Sequence, residues 1–264
     1  MRARLGRALV PTMALLGIAY LLVPIAYTVA FGFNTAGKTN LVWRGFTLEN
    51  WRNPCGAPQV CQAFVNSLRV GVLATVLATL VGTLLAIALV RYRFRGRSAV
   101  NLLIFLPMST PEVVIGAALL AQFLSLRVEL GFWTVVAAHV MFCISFVVVT
   151  VKARVASLDP ALEEAAADLY ATPVATFWRV TFPLLLPGIA AAAMLAFSLS
   201  FDDFIITNFN SGSFTTFPKF VYVAATRGIP PQANVIGTFM FVLAILLVVA
   251  SQVVTSARAR RRRR

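Results

Sequence analysis

The sequence predicts an all-α membrane protein that is folded as a bundle of six transmembrane helices. Of its 264 residues, 59% are hydrophobic and only 12% are charged, whereas about 25% of the residues in a soluble domain are charged. A helix needs roughly 20 apolar residues to cross a bilayer, and six stretches of the sequence reach that length. They are Leu9–Phe33, Ala63–Val90, Ser98–Leu124, Phe132–Val151, Leu184–Phe209 and Val235–Thr255.

The basic residues predict the direction in which these helices cross the membrane. Most of the 23 lysines and arginines lie at the two ends of the chain and in two loops on the same side: Arg2, Arg4, Arg7, Arg91, Arg93, Arg95, Arg97, Lys152, Arg154, Arg179, Arg258 and Arg260–Arg264. The loops on the other side hold Lys38, Arg44, Arg52, Arg127, Lys219 and Arg227. Because positive residues gather on the cytoplasmic side of a membrane, both termini are predicted to be cytoplasmic. The chain is therefore predicted to be a multi-pass protein of the cytoplasmic membrane.

The net charge of +14 follows from this arrangement and predicts no nucleic-acid partner. The arginine run 260–264 is typical of a topology anchor, and it favours contact with anionic lipid headgroups.

The inner loop 152–183 is unusual because its middle is acidic and water-compatible. Asp159 precedes a proline and an alanine-rich segment, which predicts a helix start. Glu163 and Glu164 then fall where the helix dipole favours carboxylates. Thr172, which also precedes a proline, predicts a second short helix. Acidic residues disfavour contact with anionic lipid, so the loop is predicted to dock on a soluble protein rather than lie passively on the bilayer.

This loop resembles the EAA loop of ABC importer permeases of the binding-protein-dependent type, whose fold is the MetI-like helical bundle. The segment Glu164-Ala165-Ala166 and Pro183 match the pattern of that loop in register. Tyr170 stands where glycine is usual. Because a tyrosine in a left-handed turn is strained, the turn at this position is expected to differ from that of the family.

The resemblance covers nearly the whole chain, and within the family it is nearest to the polyamine (spermidine/putrescine) permeases. The stretches that carry it are 107–112, 131–150, 198–203 and 230–234. It implies a single permease domain over residues 1–264, in which 152–183 is the cytoplasmic coupling loop. The residues expected to form the surface for the ATPase are Glu163, Glu164, Ala165, Ala166, Asp168, Tyr170 and Pro183.

The resemblance also implies a set of partners. These are a second homologous permease subunit, two ATP-binding subunits and an external substrate-binding protein. No G-x-x-x-x-G-K-[ST] motif occurs in the sequence, so ATP and Mg²⁺ are expected on the ATPase subunits. The chain itself is predicted to carry no cofactor and no catalytic residue.

Three carboxylates lie within or near predicted spans: Glu112, Asp202 and Asp203. Ionisable residues at membrane depth are costly and are candidates for function. An ammonium group that leaves water needs charged acceptors, so these three residues are interpreted as a vestibule that attracts a polyamine.

A structural interpretation of the same carboxylates stays open. Pro107 and Pro111 are expected to break or kink the third span, and Glu112 could cap the helix that follows. One aspartate could pair with Arg69 or with a partner subunit.

Cys55 and Cys61 both fall in the first predicted outer loop, where an oxidising exterior permits a disulfide. Their spacing alone leaves open whether they are bonded. Cys143 and His139 lie in the fourth span and are predicted to be packing residues, with the imidazole bonded to a neighbouring carbonyl oxygen. The sequence contains no cluster of histidines and cysteines that indicates a metal site.

Two other functions stay open. The same fold could import another solute, such as iron, thiamine, sulfate or a phosphonate, although carboxylates would not help an anion. An ion-driven secondary transporter is the second alternative, and the sequence shows neither an inverted repeat nor an ion-site pattern that would favour it.

Overall fold

The computed structural model describes residues 2–262 apart from residues 36, 38 and 39, with side chains for residues 10–246 and 249 apart from the same three. Its regular structure is helical, and the one described strand-like feature is an isolated bridge between Asn34 and Phe46. The helices are α1 (Arg2–Phe31), α2 (Glu49–Arg52), α3 (Pro58–Arg91), α4 (Arg97–Ser109), α5 (Glu112–Ser125), α6 (Phe132–Ala156), α7 (Ala161–Asp168), α8 (Pro173–Thr176), a π-helical turn (Phe177–Thr181), α9 (Phe182–Asp202), α10 (Ile205–Asn210), α11 (Phe217–Arg227) and α12 (Pro231–Arg262).

The described helices confirm the prediction of an all-α membrane bundle. Four helical runs are long and apolar enough to cross a membrane, namely Val10–Phe31, Pro58–Arg91, Phe132–Ala156 and Pro173–Asp202, and the pair α4 and α5 raises the count to five within the described residues. Among the residues whose side chains are described, the apolar run of α12, Pro231–Leu246, is shorter. The predicted count of six spans is roughly consistent with this set.

The third predicted span is broken in the structure. Helix α4 ends at Ser109, α5 begins at Glu112, and their axes differ by 111°. Pro111 has no N–H to donate and disfavours the helical conformation of the residue before it, and Thr110 is accordingly extended. Pro107 lies inside α4 without ending it, so Pro111 is the proline that breaks the span.

The chain packs as two compact units, of which one comprises residues 1–62 and 221–264 and the other residues 63–220. In the first unit, α12 packs on α1 and α2. The single domain over residues 1–264 stays a prediction.

In the second unit, α6 is the central helix and packs on α4, α9 and α10. Val147 and Val151 of α6 are fully buried with Leu89 of α3 and Leu185 of α9. Gly82 brings α3 close to α6, because a side chain there would lie 2.6 Å from Val147. Burial of each such aliphatic side chain contributes about 1.5–3 kcal/mol in an aqueous reference, and in lipid the close packing itself holds the helices together.

Candidate functional site

Helix α7 presents most of the predicted coupling residues to solvent. Glu164, Ala165 and Asp168 are exposed, and Ala166 is the one buried residue of the helix. Within the described chain, no hydrogen bond or ion pair reaches the Glu164 carboxylate. The helix therefore exposes the carboxylates of Glu164 and Asp168 on the loop between α6 and α9.

Tyr170 occupies a left-handed conformation, with φ of +59°. Its N–H donates to the Ala167 carbonyl at 2.9 Å, and the Ala171 N–H donates to the Ala166 carbonyl at 3.0 Å. These two bonds form the motif with which helices commonly end, in which the left-handed position is usually glycine. The expectation of a different turn was therefore wrong, because the backbone bonds hold the turn in place and the exposed ring meets no obstruction.

We expect Tyr170→Gly to leave the protein at least as stable as the wild type. Glycine relieves backbone strain of about 1 kcal/mol, which roughly offsets the entropy it adds to the unfolded chain. Leu169→Gly is the matched control, because Leu169 has φ of −87° and gains no such relief. Thermal melting of the solubilised protein measures both variants. Equal loss of stability at the two positions would contradict strain at Tyr170.

The second predicted helix of the loop begins where expected, but it is continuous with the next membrane-spanning helix. Thr172 caps it by accepting a hydrogen bond from the Ala175 N–H at 3.3 Å. The helix then runs through a π-helical turn into α9, as far as Asp202. Pro183 cannot donate the next α-helical hydrogen bond, and the Phe182 N–H bonds five residues back, to the Phe177 carbonyl. The predicted start of the fifth span at Leu184 is thus too late, because the helix extends from the span into the loop.

Glu163 turns towards the protein rather than towards solvent. One carboxylate oxygen, Oε1, accepts from Arg91 Nη2 at 2.9 Å and from the Thr181 hydroxyl at 2.9 Å. Glu163 lies in α7, Arg91 is the last residue of α3, and Thr181 is the last residue of the π-helical turn.

The three predicted membrane carboxylates lie close enough in the structure for their charges to interact. Glu112 begins α5 at the break after Pro111, and Asp202 ends α9. Glu112 lies within electrostatic range of both Asp202 and Asp203. The residues come from segments that are about 90 positions apart in the sequence, so the fold creates the cluster.

The two aspartates have different surroundings. Asp202 is exposed, whereas Asp203 is buried at the break between α9 and α10. Asp203 accepts hydrogen bonds from the Ile206 N–H at 3.2 Å and from the Thr207 N–H at 2.8 Å, and it also accepts from the Thr207 hydroxyl at 3.0 Å. Asp203 therefore acts as the N-terminal cap of α10.

His139 joins this cap to α6. Its ring nitrogens lie 2.7 Å from the Ser200 hydroxyl and 2.9 Å from the Thr207 hydroxyl, and Nε2 lies 3.3 Å from Asp203 Oδ2. The residue is buried, as predicted, but its partners are two hydroxyls and a carboxylate rather than a carbonyl. The partner of the buried aspartate is likewise His139 and not Arg69.

Helix α10 is fixed against two neighbours, which positions the cluster. The Asn210 amide donates to the Gly116 carbonyl of α5 at 3.3 Å, and the Thr134 hydroxyl of α6 donates to the Asn210 carbonyl at 2.7 Å. A side chain at Gly116 would lie 2.8 Å from Phe209, so glycine permits the close approach of α5 and α10.

The structure joins Cys55 and Cys61 in a disulfide, which closes a short loop in the first unit. Cys143 is buried, and its thiol lies 3.5 Å from the Ala196 carbonyl oxygen.

The model of one protein family, described as the binding-protein-dependent transport system inner membrane component, matches residues 78–264. The chain belongs to this family. It is a multi-pass component of a membrane transport system, and the coupling loop and the carboxylate cluster both lie within the matched region.

Curated relatives of this transport component are similar over most of their length. The spermidine/putrescine transport system permease protein PotC of Haemophilus influenzae is 38% identical over 90% of this chain and 92% of its own. The putrescine transport system permease protein PotI of Escherichia coli is 35% identical over 86% of this chain and 83% of its own.

A solved structure shares the fold of this transport component. It is a bacterial ABC transporter involved in the import of the acidic polysaccharide alginate, and the match has a TM-score of 0.65, with 17% identity over 94% of this chain and 97% of that chain. At this level of identity the likeness concerns the fold alone.

Several residues of the coupling loop and of the carboxylate cluster were not predicted from the sequence of this transport component. Asp203 is of a residue type that often caps helices, a signal that could have been recognised, and Thr207 donates to it from within α10. Arg91 and Thr181 lie 72 and 18 residues from Glu163, and no local pattern connects them.

Proposed function

We propose that this chain is a membrane subunit of an ATP-driven importer of polyamines, such as spermidine and putrescine. Two curated relatives that match most of the chain carry these substrates in their names. The chain provides the path across the membrane and the surface that receives the motor, and it performs no chemical reaction itself.

The observation that carries the proposal is the carboxylate cluster formed by Glu112, Asp202 and Asp203. The exposed carboxylate of Asp202 lies at the C-terminus of α9, where the helix dipole is itself negative. Nothing in that helix compensates its charge, so a passing cation would be attracted there. A polyamine carries several ammonium groups, and each one needs charged acceptors when it loses water. The exposed carboxylate of Glu112, across the break from α4, supplies a second acceptor.

The partners that we propose follow from the family and the exposed loop. A second homologous permease completes the path, two ATP-binding subunits hold ATP and Mg²⁺, and an external binding protein delivers the substrate. The exposed face of α7, with Glu164 at its start, receives an ATP-binding subunit. Movement of that subunit shifts the membrane helices between inward-open and outward-open states.

In the proposed orientation, both termini and the loop 152–183 face the cytoplasm. In a background without Cys55, Cys61 and Cys143, a cysteine at the exposed position Ser213 should react with an impermeant reagent added outside. A cysteine at Ser157 should react only after the membrane is permeabilised. External labelling at position 157 would contradict the orientation.

The substrate is tested by neutralising the exposed carboxylates. We expect the double variant Glu112→Gln and Asp202→Asn to reduce spermidine uptake by about tenfold, which corresponds to a loss of 1.4 kcal/mol. Each single change should have a smaller effect, because both groups act on one cation. Uptake is measured in vesicles that contain the complete complex, and the amount of complex is measured in parallel.

The controls separate this proposal from its alternatives. Uptake should be competed by putrescine and not by thiamine or sulfate, and it should stop without ATP-binding subunits even while a proton gradient persists. Unchanged uptake per assembled complex in the double variant would contradict the proposal that Glu112 and Asp202 attract the substrate. Competition by sulfate or thiamine would assign another solute to this fold.

A further inference from the structure

Helix α7 is attached to the bundle by little apolar contact. Ala166 is its one buried residue, and a partly open cavity of about 420 Å³ adjoins the helix, lined by Arg91, Ala167, Thr176 and Thr181 among others. Close packing contributes less to holding a helix that borders such a space, because the contacts across the space are absent. Polar contacts therefore take a larger part in holding α7.

The polar contacts converge on Glu163. Its Oε1 accepts from Arg91 at the end of α3 and from the buried Thr181 hydroxyl at the end of the π turn. Arg91 depends on this carboxylate, since no group among the described residues accepts a hydrogen bond from its buried Nε. A single oxygen thus links α7 to two transmembrane helices.

The two neighbouring glutamates have different surroundings. Glu164 is exposed and has no partner in the described chain, whereas two-thirds of the Glu163 side chain is covered. Both carry the same charge in the same helical turn, so their difference is one of geometry alone. Glu164 is available to another protein, and Glu163 is occupied within its own chain.

The link leads directly towards the carboxylate cluster. Thr181 is followed by α9, which packs on α6 and ends at Asp202 after 21 residues, a length of roughly 30 Å. Glu163 therefore contacts the start of α9 through Thr181 and the end of α3 through Arg91.

We infer that Glu163 is a positioning residue that fastens the coupling helix to α3 and α9, so that one movement of α7 shifts both helices together. This role rests on the proposed function, since it concerns how the motor's movement enters the membrane helices. Glu163 is thereby assigned to internal transmission, and the ATPase contact is left to Glu164.

The inference is tested in vesicles containing the complete complex with its ATP-binding subunits and binding protein. Spermidine imported per ATP hydrolysed is measured for Glu163→Gln, Arg91→Gln and the double variant. Each single change should lower this ratio by about 2- to 30-fold, the range for residues that carry coupling. The double variant should be no worse than the worse single variant, because the two side chains act through one contact.

Two further variants complete the design. Arg93→Gln removes an exposed positive charge two residues beyond Arg91 and should leave the ratio unchanged. The charge exchange Glu163→Arg with Arg91→Glu should restore part of the ratio. If Glu163→Gln prevents assembly, the charge exchange tests the inference instead. It must then recover both the assembly of the complex and the amount of spermidine imported per ATP hydrolysed.

A wild-type ratio for assembled Glu163→Gln would overturn the inference, as would multiplicative losses in the double variant or an exchange that recovers nothing. Failure of the proposed function has a different outcome: the wild-type chain would then not bind ATP-binding subunits, or its uptake would not depend on ATP.

Discussion

Replacing Asp203 with alanine is expected to lower the amount of assembled protein in the membrane before it affects transport. The carboxylate caps α10 through two backbone N–H groups and faces the buried His139. Loss of a helix cap costs about 0.5–2 kcal/mol, and leaving a buried polar partner unsatisfied costs about 1–3 kcal/mol more. Immunoblotting of membranes and melting of the solubilised complex measure the loss.

Two variants separate the cap from the charge. Asp203→Asn keeps a good capping residue, so it should retain most of the stability that alanine loses. Asp202→Ala changes the exposed neighbour and should leave abundance near the wild-type value. If Asp203→Ala assembles normally, the buried cap is not needed for folding. A direct role of Asp203 in the substrate pathway stays a prediction, and uptake per assembled complex of Asp203→Asn measures it.

Reversing the charge of Glu164 is expected to uncouple transport while the chain still inserts into the membrane. The residue is exposed at the start of α7, so a lysine there disturbs no internal contact. At the proposed interface the reversal creates repulsion where charges were complementary, and uptake should fall by about tenfold or more. Copurification of the ATP-binding subunits and their stimulation by the loaded binding protein should fall with it.

Glu164→Gln provides the graded control, because it removes the attraction without introducing repulsion and should have a smaller effect. Normal uptake with normal ATPase stimulation in Glu164→Lys would exclude a docking role for this residue. Intact docking with a lowered transport ratio in Glu163→Gln would instead show that the two glutamates act at different steps.

Local patterns in the sequence were sufficient to predict most of the long helices. The apolar stretches, the break at Pro111 and the helix starts at Asp159 and Thr172 depend on covalent geometry and short-range hydrogen bonds, which neighbouring residues specify. The match of Glu164-Ala165-Ala166 to the coupling loop likewise needed no tertiary information. The conformation of Tyr170 was mispredicted because intrinsic preference favoured another turn, and the terminal hydrogen bonds of α7 outweighed about 1 kcal/mol of strain.

Tertiary packing alone decided which of the predicted site residues lie close together and which of them are exposed. Glu112 comes within electrostatic range of Asp202 and Asp203 because α5 packs on α10, which follows α9 in the chain. The adjacent aspartates differ in exposure because α9 ends between them. Glu163 and Glu164 are chemically identical in the sequence, and the position of Arg91, 72 residues from Glu163, gives them different surroundings. The sequence determined the helices and the chemical groups they carry, because these are local properties, whereas the division of those groups into structural and functional ones depends on contacts between distant segments.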